Sequence, residues 1–265
     1  MPTVTIDDVQ VEIEQGQTIL DAACKAGIWI PALCYHPSVE PKAGCRLCMV
    51  ELVQGDSVRL VTSCNYEVYR DITVKVSSER AVHARKGVME LLLARAPESE
   101  ELKTLAEKMG VISTPYPSVT ESQRNCILCG LCTSVCEEVI GKAAISFAGR
   151  GKDKAVAPPF RQAAEDCIAC GACAAVCPVG TIQMRYHEDT HEIEISPFKA
   201  RAKLGVCKEC GAQLVPVPVS EEVFKHGKID AEELRTRADL CPDCRRKRSA
   251  ETMYTSALSS RNTSI

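Results

Sequence analysis

Residues 125–141 read NCILCGLCTSVCEEVIG, and Cys126, Cys129, Cys132 and Cys136 take four of eleven consecutive positions. Packing of an apolar core never asks for that density. A disulfide needs its two Cβ atoms close and unstrained, which cysteines three apart do poorly, so the thiols must grip something other than one another. The same C-x2-C-x2-C-x3-C run returns 41 residues later in CIACGACAAVCPVG, as Cys167, Cys170, Cys173 and Cys177. Gly130 and Gly171 stand at matching places and let the backbone bend between ligands. Pro178 fixes the chain after the second run, whereas the first carries Glu137 there.

Working outward, the 265 residues are 45% hydrophobic but only 4% aromatic, which favours several small aliphatic modules over one large core. Seventeen cysteines are the outlier. The opening MPTVTIDDVQVEIEQGQ has no basic segment followed by an apolar run, and no stretch of eighteen apolar residues occurs. The expectation is a soluble, cytoplasmic protein with neither export signal nor membrane span. In a reducing compartment thiols stay available for metal, and the odd count reads as sixteen ligands and one spare. The spare is Cys24, expected as a small buried hydrophobe on the apolar face of a helix. A formal net charge of -3, made more negative by metal-bound thiolates, argues against nucleic acid as a partner.

The N-terminal segment has its own cysteine neighbourhood. TVTI and VQVEI flank Asp7-Asp8 and predict a hairpin, and Thr18 with Asp21 three residues on predicts a capped helix through Ala26, ended by Gly27. CMVELV, VRLVTS and ITVKV supply further strands, giving a small mixed sheet crossed by one helix. Cys34, Cys45 and Cys48 fall on the loop leaving that helix, where Gly44 is expected to let the backbone close around a cluster. This order resembles the β-grasp ferredoxin domain, although plant-type ferredoxins place four residues between the first two ligands and here ten intervene. With the longer gap it is similar to the N-terminal domain of three proteins: the large iron-sulfur subunit of respiratory complex I, the iron-only hydrogenases, and the diaphorase iron-sulfur subunit of NAD-linked nickel-iron hydrogenases. The resemblance implies that Cys34, Cys45, Cys48 and Cys64 hold a 2Fe-2S cluster. A zinc site on the same thiolates is the alternative.

The two central runs resemble those of bacterial two-cluster ferredoxins, where the fourth cysteine of each run serves the other cluster. That resemblance implies one 4Fe-4S cluster on Cys126, Cys129, Cys132 and Cys177, and a second on Cys167, Cys170, Cys173 and Cys136. Residues 79–96 read as a helix with Val82, Met89, Leu92 and Leu93 near one face, ended by Pro97, and SEELKTLAEKMG as another with Leu102, Leu105, Ala106 and Met109. In the relatives named above the equivalent segment leads into one His and three Cys for a further 4Fe-4S cluster. Residues 97–125 hold none of these, and His83 reads as a surface or packing histidine.

A third neighbourhood is CKECG, with Cys207 and Cys210, and after thirty residues CPDC, with Cys241 and Cys244. Two such knuckles suit four sulfurs around zinc. Rubredoxin's mononuclear iron site resembles this pattern too, but Phe224 is the only aromatic residue in the insert, so zinc is favoured. IDAEELRTRADL reads as a short helix capped by Asp230 and Glu233. RRKR at 245–248 reads as a solvated or partner-facing stretch, and the tail after it as polar and loose. GRGKDKAVAPPF reads as a link between the two ferredoxin halves.

The fold expected is α+β. A 2Fe-2S β-grasp domain spans 1–78, a helical linker 79–118, a two-cluster 4Fe-4S ferredoxin domain 119–198, a zinc-ribbon-like module with four cysteines 199–248 and a polar tail 249–265. There is no G-x-G-x-x-G after a strand, no P-loop, and no nucleophile with a base at recognisable spacing, so the chain reads as a conductor of electrons without a catalytic site of its own. The resemblances imply a subunit of a multi-subunit oxidoreductase. Its clusters would join a flavin-containing NAD(P)H subunit to a second redox partner such as a hydrogenase, a formate dehydrogenase or a ferredoxin, with electron bifurcation within reach. A free-standing ferredoxin-like carrier is the alternative, and a nucleic-acid-binding redox sensor rests only on the C-terminal knuckles and RRKR.

Overall fold

Asp7 and Asp8 both adopt positive φ, 47° and 85°, in the two-residue turn that joins β1 (Thr3–Ile6) to β2 (Val9–Glu12). The Asp7 carboxylate accepts from the Val76 and Ser77 amides at 2.8 and 3.0 Å, which pins this turn to the end of β5 (Ile72–Lys75). With β3 (Met49–Gln54) and β4 (Ser57–Thr62) these strands form one sheet in the order β2-β1-β5-β3-β4. β1 and β5 run parallel and the other pairs antiparallel, so the sheet is mixed as the sequence predicts. Alternation sends Val4, Ile6, Val50, Leu52 and Val74 into one core, where α1 (Ile19–Lys25) covers them with Ile19, Ala22 and Ala23.

The capping box on α1 is formed in both directions. The Asp21 amide donates to Thr18 Oγ1 at 3.2 Å, and the Thr18 amide to Asp21 Oδ2 at 2.8 Å. Cys24 corrects an expectation: it is exposed, because the seven-residue helix turns Ile19, Leu20, Ala22 and Ala23 inward and has rotated toward solvent by residue 24.

The structure is a computed structural model that describes residues 1–118, 125–226 and 238–261. The chain divides into two units, one of Met1–Arg161 with Ala172–Gln183, the other of Gln162–Gly171 with the residues from Met184 onward. In the first unit α2 (Glu79–Arg95) packs on β3 and α3 (Glu100–Lys108) packs on α2. The predicted apolar faces are present, with Met89, Leu92, Leu93, Leu102 and Ala106 buried and His83 exposed. Arg85 is a buried cation that the periodicity did not mark: its guanidinium donates to the carbonyls of Met49 at 2.9 Å and Val76 at 2.8 Å, fastening α2 to the ends of two strands. Arg85→Met strands both carbonyls and is expected to destabilise this unit by about 1–3 kcal/mol, relief of the buried charge offsetting part of the loss. Thermal unfolding of the cluster-loaded chain checks this, with Arg85→Lys expected to fall between the two.

Further on, α4 (Leu131–Ser134) passes into a π-helical turn over Val135–Val139, and α5 (Ala172–Ala175) packs against both. GRGKDKAVAPPF is more than a link. It forms the turn and second strand of a hairpin between β6 (Ser146–Ala148) and β7 (Ala155–Ala157).

From the unit boundary onward, β8 (Gln183–His187), β9 (Glu192–Ser196), β10 (Ala200–Val206) and β11 (Gln213–Pro216) form a sheet in the order β11-β10-β9-β8. The expected division at 198/199 falls at the turn between β9 and β10, inside this sheet. α6 (Val217–His226) follows β11 and packs on β10 and β11. The expected helix caps Asp230 and Glu233 lie outside the described residues. The tail expected to be loose is helical as far as it is described, since α7 runs from Pro242 to Arg261 with Arg245, Arg246, Lys247 and Arg248 exposed on its early turns. Among the described residues no helix is long and apolar enough to cross a membrane.

Candidate metal centres

Four of the five cysteines in the first 78 residues converge. Cys34, Cys45, Cys48 and Cys64 are all buried, the first three on the loop leaving α1 and the last just after β4. Gly44 does not take a left-handed φ, but its amide, like that of Cys45, is aimed at Cys34 as expected. Ala43 and Arg46, on either side, take the positive φ values of 49° and 61°, a strained conformation for residues with a Cβ and one that clusters at functional loops. Their reward is an amide aimed at sulfur: the Cys45 N–H donates to Cys34 Sγ at 3.4 Å. The four thiols are close enough to share protons. Hydrogen bonds from the Cys45 and Cys64 thiols hold Cys34 far below the usual thiol range, and Cys64 holds Cys48 at about 6. Cys45 is pushed up by its bond to Cys34, and Cys64 by its bonds to Cys34 and Cys48. Irons bound among them would replace the shared protons and let all four ionise.

The 41-residue repeat is also a repeat of backbone shape. Leu128 and Gly130 have φ of 53° and 83° between the cysteines of the first run, and Ala169 and Gly171 have 52° and 76° in the second. In the first unit Cys126, Cys129, Cys132 and Cys177 lie within each other's electrostatic reach. Burial pushes all of Cys126, Cys129 and Cys132 up, Cys129 to about 12. Neutral thiols are what an apolar site tolerates alone, and a cationic iron centre is what would turn them into ligands. Of the other set, Cys136 sits in the π-helical turn and Cys173 in α5, both in the first unit. Cys167 and Cys170 belong to the second unit, where the Cys167 amide closes a turn onto Ala164 O at 3.1 Å.

The Cys34–Cys48 loop packs directly on the first run. Leu33, Cys34, Cys45 and Leu47 share one buried cluster with Ile127 and Val179, and Cys129 and Cys177 border it. A Cβ placed on Gly44 would stand 3.6 Å from the Cys129 carbonyl oxygen, an ordinary van der Waals distance, so the two cysteine loops lie in contact at this point. Glu138 adds a polar tie. Its carboxylate accepts from the Glu40 amide at 3.2 Å and lies 3.6 Å from Lys42 Nζ, while Val39 packs on Leu131 and Val135. The Glu40 hydrogen bond, more than Lys42, holds that carboxyl below its ordinary range. Sequence reasoning marked Glu137 as a departure from Pro178 but missed its consequence, that a chain without proline there continues into the π-helical turn carrying Glu138. It also missed Arg95, whose Nε donates to Cys126 O at 3.1 Å from the last turn of α2.

Cys207, Cys210, Cys241 and Cys244 place their four sulfurs within 4.8 Å of one another. A single tetrahedral zinc with Zn–S of about 2.3 Å needs sulfurs roughly 3.8 Å apart, and Cys210 and Cys241 stand at 3.6 Å. Backbone donors converge on the site. The Cys244 amide donates to Cys241 Sγ at 3.4 Å, and amides of Cys241 and Cys210 lower the Cys207 thiol to about 6. Leu240 and a partly buried Leu214 pack with Cys207, Cys241 and Cys244 in a very small core, and Cys210 is exposed beside it.

Residues 1–79 match the 2Fe-2S iron-sulfur cluster binding domain family, and residues 120–184 the 4Fe-4S dicluster domain family. The chain is 36% identical over 187 residues to the NADP-reducing hydrogenase subunit HndD of Solidesulfovibrio fructosivorans, covering 60% of this chain and 32% of that protein. It is 30% identical over 177 residues to the mitochondrial NADH-ubiquinone oxidoreductase 78 kDa subunit of Candida albicans, covering 58% of this chain and 24% of that one. Among solved structures, a chain of the NAD+-reducing NiFe-hydrogenase in its H2-reduced state superimposes with a TM-score of 0.53 at 26% identity, over 79% of this chain and 88% of that chain. This chain therefore carries a 2Fe-2S domain and a 4Fe-4S dicluster domain, and spans about a quarter to a third of the length of these two curated relatives.

Proposed function

We propose that this protein relays single electrons inside a multi-subunit NAD(P)-linked oxidoreductase, between a flavin-bearing subunit that exchanges hydride with NAD(H) or NADP(H) and a second redox subunit, with hydrogenase the class its relatives favour. Cys34, Cys45, Cys48 and Cys64 hold one 2Fe-2S cluster. Cys126, Cys129, Cys132 and Cys177 hold a first 4Fe-4S cluster, and Cys167, Cys170, Cys173 and Cys136 a second. Cys207, Cys210, Cys241 and Cys244 hold zinc as a structural staple. The setting is a reducing one, the cytoplasm, where thiols remain available. Iron-sulfur clusters supply one-electron transfer, and the protein's part is to fix their spacing and tune their potentials through hydrogen bonds, charge and burial. The observation that carries the reading is the packing of the Cys34–Cys48 loop on the Cys126–Cys129 segment, which gives an electron a direct step between two centres through buried, close-packed protein.

Anaerobic purification of the tagged chain from its own cells tests this. Expected is a complex that contains flavin and whose iron-sulfur signals appear on adding NADH or NADPH. A chain that elutes alone, without flavin and unreduced by either nucleotide, would make it a free-standing carrier.

A further inference from the structure

Ser63 is 0% exposed, and its hydroxyl finds no hydrogen-bond partner. Leaving a buried hydroxyl unpaired costs about 1–3 kcal/mol, so such a group in a native fold asks for its acceptor. Its backbone is fully committed. The Ser63 amide donates to Cys48 O at 3.1 Å, and its carbonyl accepts from the Leu20 amide at 3.0 Å, which anchors the residue between α1 and the cysteine loop. The neighbouring Thr62 hydroxyl is committed to Asn65 Oδ1 at 2.5 Å. What lies beside Ser63 is the cysteine site itself: the residue directly precedes Cys64 and its own amide is bonded to the Cys48 carbonyl, so its hydroxyl is buried between two of the four cysteines with no directed bond to either.

We infer that the Ser63 hydroxyl is a donor built for the 2Fe-2S centre, pairing with Cys48 Sγ or an adjacent bridging sulfide once the cluster is bound, and that it raises the reduction potential of that cluster. The inference rests on the assignment of the four N-terminal cysteines to a 2Fe-2S cluster. The hydroxyl acts by charge alone. On reduction the cluster gains one electron and its sulfurs become more negative, a donor to sulfur strengthens, and the proton stays on the serine, so the reduced form is favoured without proton transfer. Nothing in the sequence marks this residue, because a serine beside a ligand cysteine reads equally well as an ordinary small core residue.

The test uses the full chain with its clusters, as wild type and as Ser63→Ala, which removes the donor with little change of volume. In an EPR-monitored redox titration the 2Fe-2S midpoint is expected to move to a more negative value in the variant, with the 4Fe-4S midpoints unmoved. In D2O the reduced 2Fe-2S signal of the wild type is expected to lose a proton hyperfine coupling within minutes, faster than buried amides exchange, and Ser63→Ala is expected to lack that coupling from the start. An unmoved midpoint with the coupling retained overturns the inference while leaving the cluster assignment intact. If Ser63→Ala fails to keep its cluster, the wild type decides alone: no rapidly exchanging coupling means no donor. A wild type without any 2Fe-2S signal overturns the cluster assignment, and the inference with it.

Discussion

Replacing Cys129 with serine is expected to abolish one 4Fe-4S signal, keep the 2Fe-2S signal, and cut electron transfer between the nucleotide and the second redox subunit by more than about 100-fold. Residues that merely orient a metal ligand are worth about 10–100-fold in affinity or activity, and Cys129 is here proposed as a ligand itself. Its carbonyl also lies against Gly44, where the two cysteine loops meet. A chemical reductant should still reduce the 2Fe-2S centre in the variant, so the defect is one of passage and not of cluster chemistry. EPR of the assembled complex after mixing with NADH or NADPH measures it. Undiminished turnover alongside a missing 4Fe-4S signal would take the first cubane off the route.

Much of this arrangement was legible in the sequence because local chemistry and tertiary fold agree. Asp7-Asp8 demanded a hairpin, Thr18 and Asp21 a capped helix, and the repeated cysteine run a repeated backbone, visible in the paired φ values at Leu128 and Ala169. What was missed depends on where distant parts of the chain meet in space. A helix of seven residues has too few turns for its pattern to say which way Cys24 faces. Gly44 was the expected bend by its conformational freedom, yet Ala43 and Arg46 take the positive φ values. α7 had a readable signal in Pro242, since proline is favoured in the first turn of a helix, but the polar composition after it outweighed that cue. Glu138, Arg95 and Arg85 work through partners distant in the chain, which no local spacing announces.

The second large effect is expected at the C-terminal knuckles. Cys241→Ser should reduce zinc from about one per chain to nearly none and loosen the two knuckles, because the cluster there, Cys207, Cys241 and Cys244 with Leu240 and a partly buried Leu214, is too little apolar material to hold them together. A structural zinc site contributes about 10–16 kcal/mol of apparent binding energy, far more than this core could. Limited proteolysis should cut the variant between those residues while the 2Fe-2S signal and the first 4Fe-4S signal persist. Loss of a visible iron chromophore in place of zinc would identify the site as a mononuclear iron centre.

The most direct measurement is the iron and acid-labile sulfide content of the full chain purified without oxygen. A relay built from one 2Fe-2S and two 4Fe-4S clusters requires about ten iron and ten sulfide per chain, beside about one zinc. Hardly any iron or sulfide, with the thiols occupied by zinc or joined as disulfides, would contradict it.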